Sequence, residues 1–161
     1  MVSDLGKEVF MEKVLDVASY LVYCYDKMIH KKIDELKLHN LLYLVQRETL
    51  VKEDEPLFKE EFEGWKYEPV CVVVRTKYKK GFFKDKNRNS KAANRLSLNS
   101  QEIIDSVVNV YGERASWDLS NLIHSEYSWC HSRIGLVEGE NGNRIIKLAD
   151  IRVDANRIKK V

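Results

Sequence analysis

The chain has 161 residues, 44% of them apolar and 32% charged, with a net charge of only +2. A chain of this length buries roughly 70% of its unfolded surface and needs no disulfide or metal staple. Seven Gly and two Pro are too few for the many tight turns of a sandwich or barrel.

The opening MVSDLGKEVFMEK has no basic region followed by an uninterrupted apolar core, so no signal peptide is expected. Val14, Val17, Ala18, Leu21, Val22, Tyr25, Met28 and Ile29 recur at helical spacing, which predicts a helix over about 8–29 with one face in a core. Asp and Ser break this stretch, and it is too short to span a bilayer. Asp34 can cap a second helix whose inner stripe runs through Leu38, Leu41, Leu42 and Val45, with Gln46 and Arg47 toward water.

Lys52–Glu55 reads as a loop, and Phe58, Phe62 and Trp65 follow without helical period, so 57–68 is expected to be irregular or extended. Pro69 suits a first helical position. Four valines between Val70 and Val74 favour a strand on propensity. From Lys79 to Ser97 polar and basic residues dominate, and a long basic loop is expected near 79–97. Asn99 or Ser100 opens another helix, with Ile103, Ile104, Val107, Val108 and Tyr111 inward and Gly112 as its stop. Ser116 can cap the next, which buries Leu119, Leu122 and Ile123, and a short turn follows over 128–133. EGENGN at 138–143 is a turn. Apolar residues at 148, 151, 155 and 158 fit a closing helix within 145–161, although alternation at Ile151, Val153 and Ala155 keeps a strand open. The sum is a mainly α, single compact domain of about six helices spanning 1–161, with 136–161 as a C-terminal extension of the same domain.

Candidates for chemistry are few. His124, Glu126, Cys130 and His131 are metal-ligand types, but their spacing matches no familiar zinc site and no second ligand pair stands elsewhere. Cys130 and His131 are adjacent and would point apart on a helix, without a Gly-rich oxyanion element. Walker, GxGxxG, HExxH and GxSxG motifs are missing. No enzyme, cofactor or metal is expected. Cys24, Cys71 and Cys130 are scattered and form no CxxC, which fits reduced thiols in a cytoplasm.

Charge asymmetry says more than the total. Nine Lys or Arg and one acid lie between Arg75 and Arg95, a balance of +8, so the remainder sums to −6. Six acids stand against Lys59 between Glu53 and Glu63. The basic stretch reads as a solvated loop, as a nucleic-acid contact with Phe82 or Phe83 stacked on a base, or as a clamp on an acidic protein partner. Trp65 is expected to close a core, whereas Tyr67 could equally be a surface anchor.

Residues 35–78 run from a helix of the form KLxxLLYxxQ, through an acidic loop and PLF, to W-K-Y-x-P-V. With Tyr111-Gly112, His124-x-Glu126-x-x-Trp129 and Arg133, this order resembles the Panacea-domain antitoxins, a bacterial and phage family with SocA-like antitoxin-adaptors, over about residues 10–135. The resemblance implies a helix over about 69–78 and structural roles for Leu38, Leu41, Tyr43, Trp65, Pro69, His124, Glu126, Trp129 and Arg133. It further implies neutralisation of a cognate protein toxin, from a neighbouring gene, by direct binding, and in some members delivery of the toxin to a protease. Tyr67, Phe82, Phe83, Lys84, Lys86, Arg88 and Lys91 are the candidate partner contacts. The alternative is a phage- or prophage-encoded nucleic-acid-associated regulator that works through 75–95. Family members commonly carry Tyr-Gly-Pro-Val where this chain has Tyr67-Glu68-Pro69-Val70, and the basic stretch at 79–95 looks peculiar to this chain.

Overall fold

A computed structural model describes residues 10–160. In chain order its elements are α1 (Val14–Ile29), α2 (Glu35–Glu53), β1 (Phe62–Gly64), β2 (Pro69–Val70), α3 (Val72–Lys79), α4 (Lys86–Lys91), α5 (Leu98–Tyr111), α6 (Ser116–His124), α7 (Tyr127–Ser132), β3 (Arg144–Ile146) and α8 (Leu148–Lys159). The protein is mainly α, with eight α-helices among the described residues rather than about six. The two additional helices are α4, inside the expected basic loop, and α7, at the expected turn.

α1 buries Val14, Val17, Ala18, Leu21, Val22 and Tyr25 as their spacing predicts, while Met28 is exposed. It begins at Val14. Of the earlier start, residues 8 and 9 lie outside the described residues, and 10–13 are not helical. There the Glu12 N–H donates to the Leu57 carbonyl at 2.8 Å, tying this segment to the region after α2.

Asp34 caps α2 as expected, accepting the Lys37 N–H at 2.7 Å. The wet face expected at Gln46 and Arg47 is absent, since both residues are 3% exposed. α1, α5, α6, α8 and β2 all pack on α2, so its polar side chains must find partners inside the fold. Lys37 Nζ donates to the carbonyls of Gly112 (2.9 Å) and Arg114. Asn40 Nδ2 donates to Ser120 Oγ at 3.1 Å, and Thr49 Oγ1 to the Val45 carbonyl at 2.7 Å. Gln46 clamps the next segment from both sides, donating to the Phe58 carbonyl (2.9 Å) and accepting the Leu57 N–H (2.8 Å). Sequence periodicity sees one apolar stripe here; the wet face is removed by elements distant in sequence.

The extended character expected at 57–68 is present as β1. The sheet order is β2-β1-β3, with Glu63 opposite Val70 and Ile145, and Gly64 opposite Pro69 and Arg144. A Cβ at Gly64 would stand 2.3 Å from Ser132 Oγ, so glycine lets α7 close on the sheet. Pro69 therefore begins an edge strand rather than a helix, a place where its missing N–H costs no ladder bond. Helix α3 follows only from Val72. Both readings of the valine run hold in part, the strand at Val70 and the helix beyond. Trp65 N–H donates to the Glu68 carbonyl at 3.2 Å, and Glu68 turns without a positive φ, so the turn needs no glycine.

The expected loop at 79–97 is instead a chain of short helical turns. Gly81 leaves α3 at φ 81°, Phe82–Lys84 and Ala92–Arg95 are 3₁₀ turns, and Asp85 caps α4 by accepting the Arg88 N–H at 3.1 Å. Buried Phe83, Asn89, Ala92 and Leu96 anchor the segment, which packs on α1. Four anchors spread over fourteen positions give no period, so charge hides them. α5 starts earlier than expected because Ser97, not Asn99 or Ser100, is the cap, accepting the Ser100 N–H at 3.1 Å. Asn99 instead turns its amide to Glu53. Gly112 follows with helical angles; a left-handed stop is not used. Ser116 is the first residue of α6 and makes no cap bond.

The C-terminal segment divides. Residues 144–146 form β3, and α8 buries Ile151 and Ala155. Asp154 of α8 accepts the N–H groups of Tyr127 (3.0 Å) and Ser128 (2.9 Å), satisfying the start of α7 from a distance.

Replacing Gln46 with Leu keeps the volume but strands the Leu57 N–H and Phe58 carbonyl. Urea unfolding of that variant is expected to show a loss of about 2–4 kcal/mol from two orphaned buried groups.

Candidate partner-binding surface

The basic segment was singled out by charge, but part of that charge is used internally. Arg75 and Lys79 meet Glu35 at 2.7 and 2.9 Å, and Arg95 meets Asp16 at 2.7 Å. Arg88 lies 4.2 Å from the Phe82 ring centroid and Lys77 5.4 Å from it. Lys84, Lys86 and Lys91 are exposed and form no ion pair among the described residues. Phe83, expected as a partner contact, is buried and packs edge-on against half-buried Phe82 at 5.1 Å.

Lys84 and Lys86 border a cleft of about 370 Å³ between this segment and α1. Val22, Ile33 and Phe83 provide its apolar lining, with Tyr23, Asp26, Lys32 and Asn89 around them. Of the predicted contacts, Phe83, Lys84 and Lys86 thus come together, with Phe82 and Arg88 beside them. Lys91 does not line the cleft. Tyr67, 42% exposed, belongs to another region, where its carbonyl accepts a hydrogen bond from His124 Nε2 at 2.7 Å. The α1 side of the cleft and Lys32 were missed, and no local signal marks them, because only folding brings residues 22–33 against 83–89.

Glu35 joins α2 to α3 through Arg75 and Lys79, and within α2 it meets His39 at 3.0 Å. Burial pushes the Glu35 carboxyl up, but the hydrogen bonds from Lys79 and His39 and the charge of Arg75 outweigh it and hold the carboxyl below its ordinary range. Burial holds His39 below its ordinary value. Arg75 also covers the half-buried Trp65 ring at 4.9 Å, so Trp65 lies under a guanidinium rather than within the core.

The His124–Trp129 element faces two ways. His124 stacks on Trp129 (4.5 Å, 15°), and Trp129 is buried in the core. Glu126 points inward to Arg47, which also donates to Tyr111 Oη at 3.2 Å. Tyr43 Oη pairs with Ser128 Oγ at 2.5 Å. Burial pushes the Glu126 carboxyl above its ordinary value in spite of Arg47, and Asp154 adds to the push. Arg133 is buried, donating to the Gly64 carbonyl at 3.2 Å and to that of Glu140. Leu38, Leu41 and Pro69 are buried as well. His131 turns to Asp150 (2.6 Å) and Cys130 Sγ to the His124 carbonyl (3.3 Å). No group of three or more His, Cys, Asp or Glu converges in metal-binding geometry among the described residues. Burial pushes the Cys24 thiol up to about 12, with a hydrogen bond to Asp105 adding to it, and Cys71 up to about 11. Both remain thiols near neutral pH.

A family model described as Antitoxin SocA-like, Panacea domain, matches residues 38–130, more than half of the chain. The chain belongs to this family. The match begins inside α2 and ends inside α7, a narrower span than the resemblance over 10–135. It contains the basic segment and the motif residues from Leu38 to Trp129, with Lys37 and Arg133 just outside. Membership in this Panacea family points in general to an antitoxin role and to a protein partner. No curated protein and no solved structure matches the chain. None of the described helices is long and apolar enough to cross a membrane.

Two outcomes are expected from the buried charges of this Panacea domain. Glu126→Ala strands the Arg47 guanidinium and should cost about 3–5 kcal/mol in denaturant unfolding, whereas Arg47→Met combined with Glu126→Leu should cost less than that single change. For Glu35 and His39 the folded pKa is depressed, so each contributes stability that is present above its unfolded value and lost as pH falls through the folded one. Melting temperature should decline first below about pH 6.5 and again below about pH 4.3, the ordinary His and Glu values. Glu35→Gln should flatten the lower step.

Proposed function

We propose that this Panacea-domain protein is the antitoxin of a toxin–antitoxin module and neutralises a cognate protein toxin by direct binding in the cytoplasm. The match to the antitoxin family over residues 38–130 carries this reading. Neutralisation by occupancy requires a complementary surface and no catalysis. The region from 52 to 95 supplies exposed acids, Glu53, Asp54 and Glu55, and exposed bases, Lys84, Lys86 and Lys91. Covering the toxin's working surface with this region is the proposed mechanism; delivery of the bound toxin to a protease is a further step that the same complex could serve.

Co-expression with the product of the neighbouring gene is the test. A stable complex together with rescue of growth supports the antitoxin reading, and a toxic neighbour that is neither bound nor neutralised refutes it for that pair. Within such a complex, changing Lys84, Lys86, Arg88 and Lys91 together to Gln should weaken binding by about tenfold or more and flatten its salt dependence, because charges at a rim chiefly speed association. Unchanged affinity would remove the basic segment from the interface.

A further inference from the structure

We infer that the cleft between α1 and residues 83–89 takes an acidic peptide segment with an apolar side chain at its centre, supplied by the protein partner. The inference rests on the antitoxin reading only for the identity of the protein that carries the segment. A volume of about 370 Å³ lies within the usual range of ligand pockets, about 300–1,000 Å³. Its apolar lining, Val22, Ile33 and Phe83, comes from three separate stretches of the chain held by the core. Such a lining favours an aliphatic or aromatic side chain over water.

The rim selects for charge. Lys32, Lys84 and Lys86 face one acid, Asp26, so the lining carries a surplus of positive charge. All three lysines are exposed and form no ion pair among the described residues, so carboxylates can approach them without breaking an existing contact. A third feature is Asn89, which is 3% exposed. Its Nδ2 donates to the Phe83 carbonyl at 2.8 Å, while its buried Oδ1 has no partner among the described residues. Asn89 also lines the cleft, so the bond from its amide to the Phe83 carbonyl fixes that wall.

A nucleic acid fits this cleft less well. Base stacking needs an open aromatic face, yet Phe83 is buried and Phe82 carries Arg88 and Lys77 on its ring. Three of the nine cations between Arg75 and Arg95 are already paired with Glu35 and Asp16. The surplus that a phosphate backbone would use is therefore smaller than the sequence suggests.

The test uses the full chain and a fluorescein-labelled peptide, Glu-Glu-Leu-Phe-Glu-Glu, with Glu-Glu-Ser-Ser-Glu-Glu as its control, read by anisotropy up to millimolar protein. Binding of the first peptide is expected to weaken by about tenfold or more when the apolar pair is replaced and when Lys32→Glu, Lys84→Glu and Lys86→Glu are combined. Lys59→Glu with Lys160→Glu, away from the cleft, should leave it unchanged, and circular dichroism confirms that both variants are folded. No binding of the first peptide overturns the inference, as does equal binding of both peptides. Oligothymidylate that displaces the peptide and loses the same affinity in the triple variant would assign the cleft to nucleic acid instead. With the neighbouring gene's product as partner, a complex formed equally well by the triple variant overturns the site and leaves the antitoxin reading intact. Specific peptide capture alongside failure of every toxin complex does the reverse.

Discussion

The architecture depends on a helix that is surrounded. α2 has neighbours on most of its circumference, and a buried polar group without a partner costs more than most single apolar contacts return. Four of its polar residues therefore act as cross-links, each to a different element. Lys37 holds the connection between α5 and α6, Asn40 holds α6, Tyr43 holds α7 and Gln46 holds the approach to β1. Together they orient the outer layer more narrowly than apolar packing alone, which is non-directional.

Arg47 and Glu126 carry this logic to an ion pair. Removing two charges from water is expensive, and the raised Glu126 carboxyl indicates that Arg47 does not fully offset the cost. What the pair provides is placement, since the start of α7 meets the Arg47 guanidinium, the Tyr43 hydroxyl and the Asp154 carboxylate at once. The His124–Trp129 element thus has an inward half that closes the core and an outward half in which His124 bonds the carbonyl of exposed Tyr67.

In the proposed toxin complex the basic segment would contribute through its ordered geometry as well as its charge. Short helical turns pinned by Phe83, Asn89, Ala92 and Leu96 hold Lys84 and Lys86 at defined positions beside α1, so less conformational entropy is lost on association than with a mobile loop. The same pinning withdraws Phe83 from solvent and directs Arg75, Lys79 and Arg95 to internal acids. Net charge along a stretch of sequence accordingly overstates the charge that a partner meets.

Local sequence determined much of what is regular here. The period of α1, the Asp34 cap, the inner face of α5 and the turn at 138–143 follow from residues within a few positions of one another, and the motif order from Leu38 to Trp129 identified the family. Tertiary structure alone decided three matters. Gln46 and Arg47 are inside because the 57–58 segment closes on the first, and Tyr111 and Glu126 on the second, over a face that the helical period leaves open. Pro69 is in a strand because Gly64 offers it an antiparallel partner. The cleft exists because residues 22–33 and 83–89, far apart in the chain, pack across a shared core. The first and third depend on contact between distant segments, and burial by such a segment leaves no mark on the spacing of the residues it covers; the second depends on β1, which pairs on its other side with β3 from far along the chain.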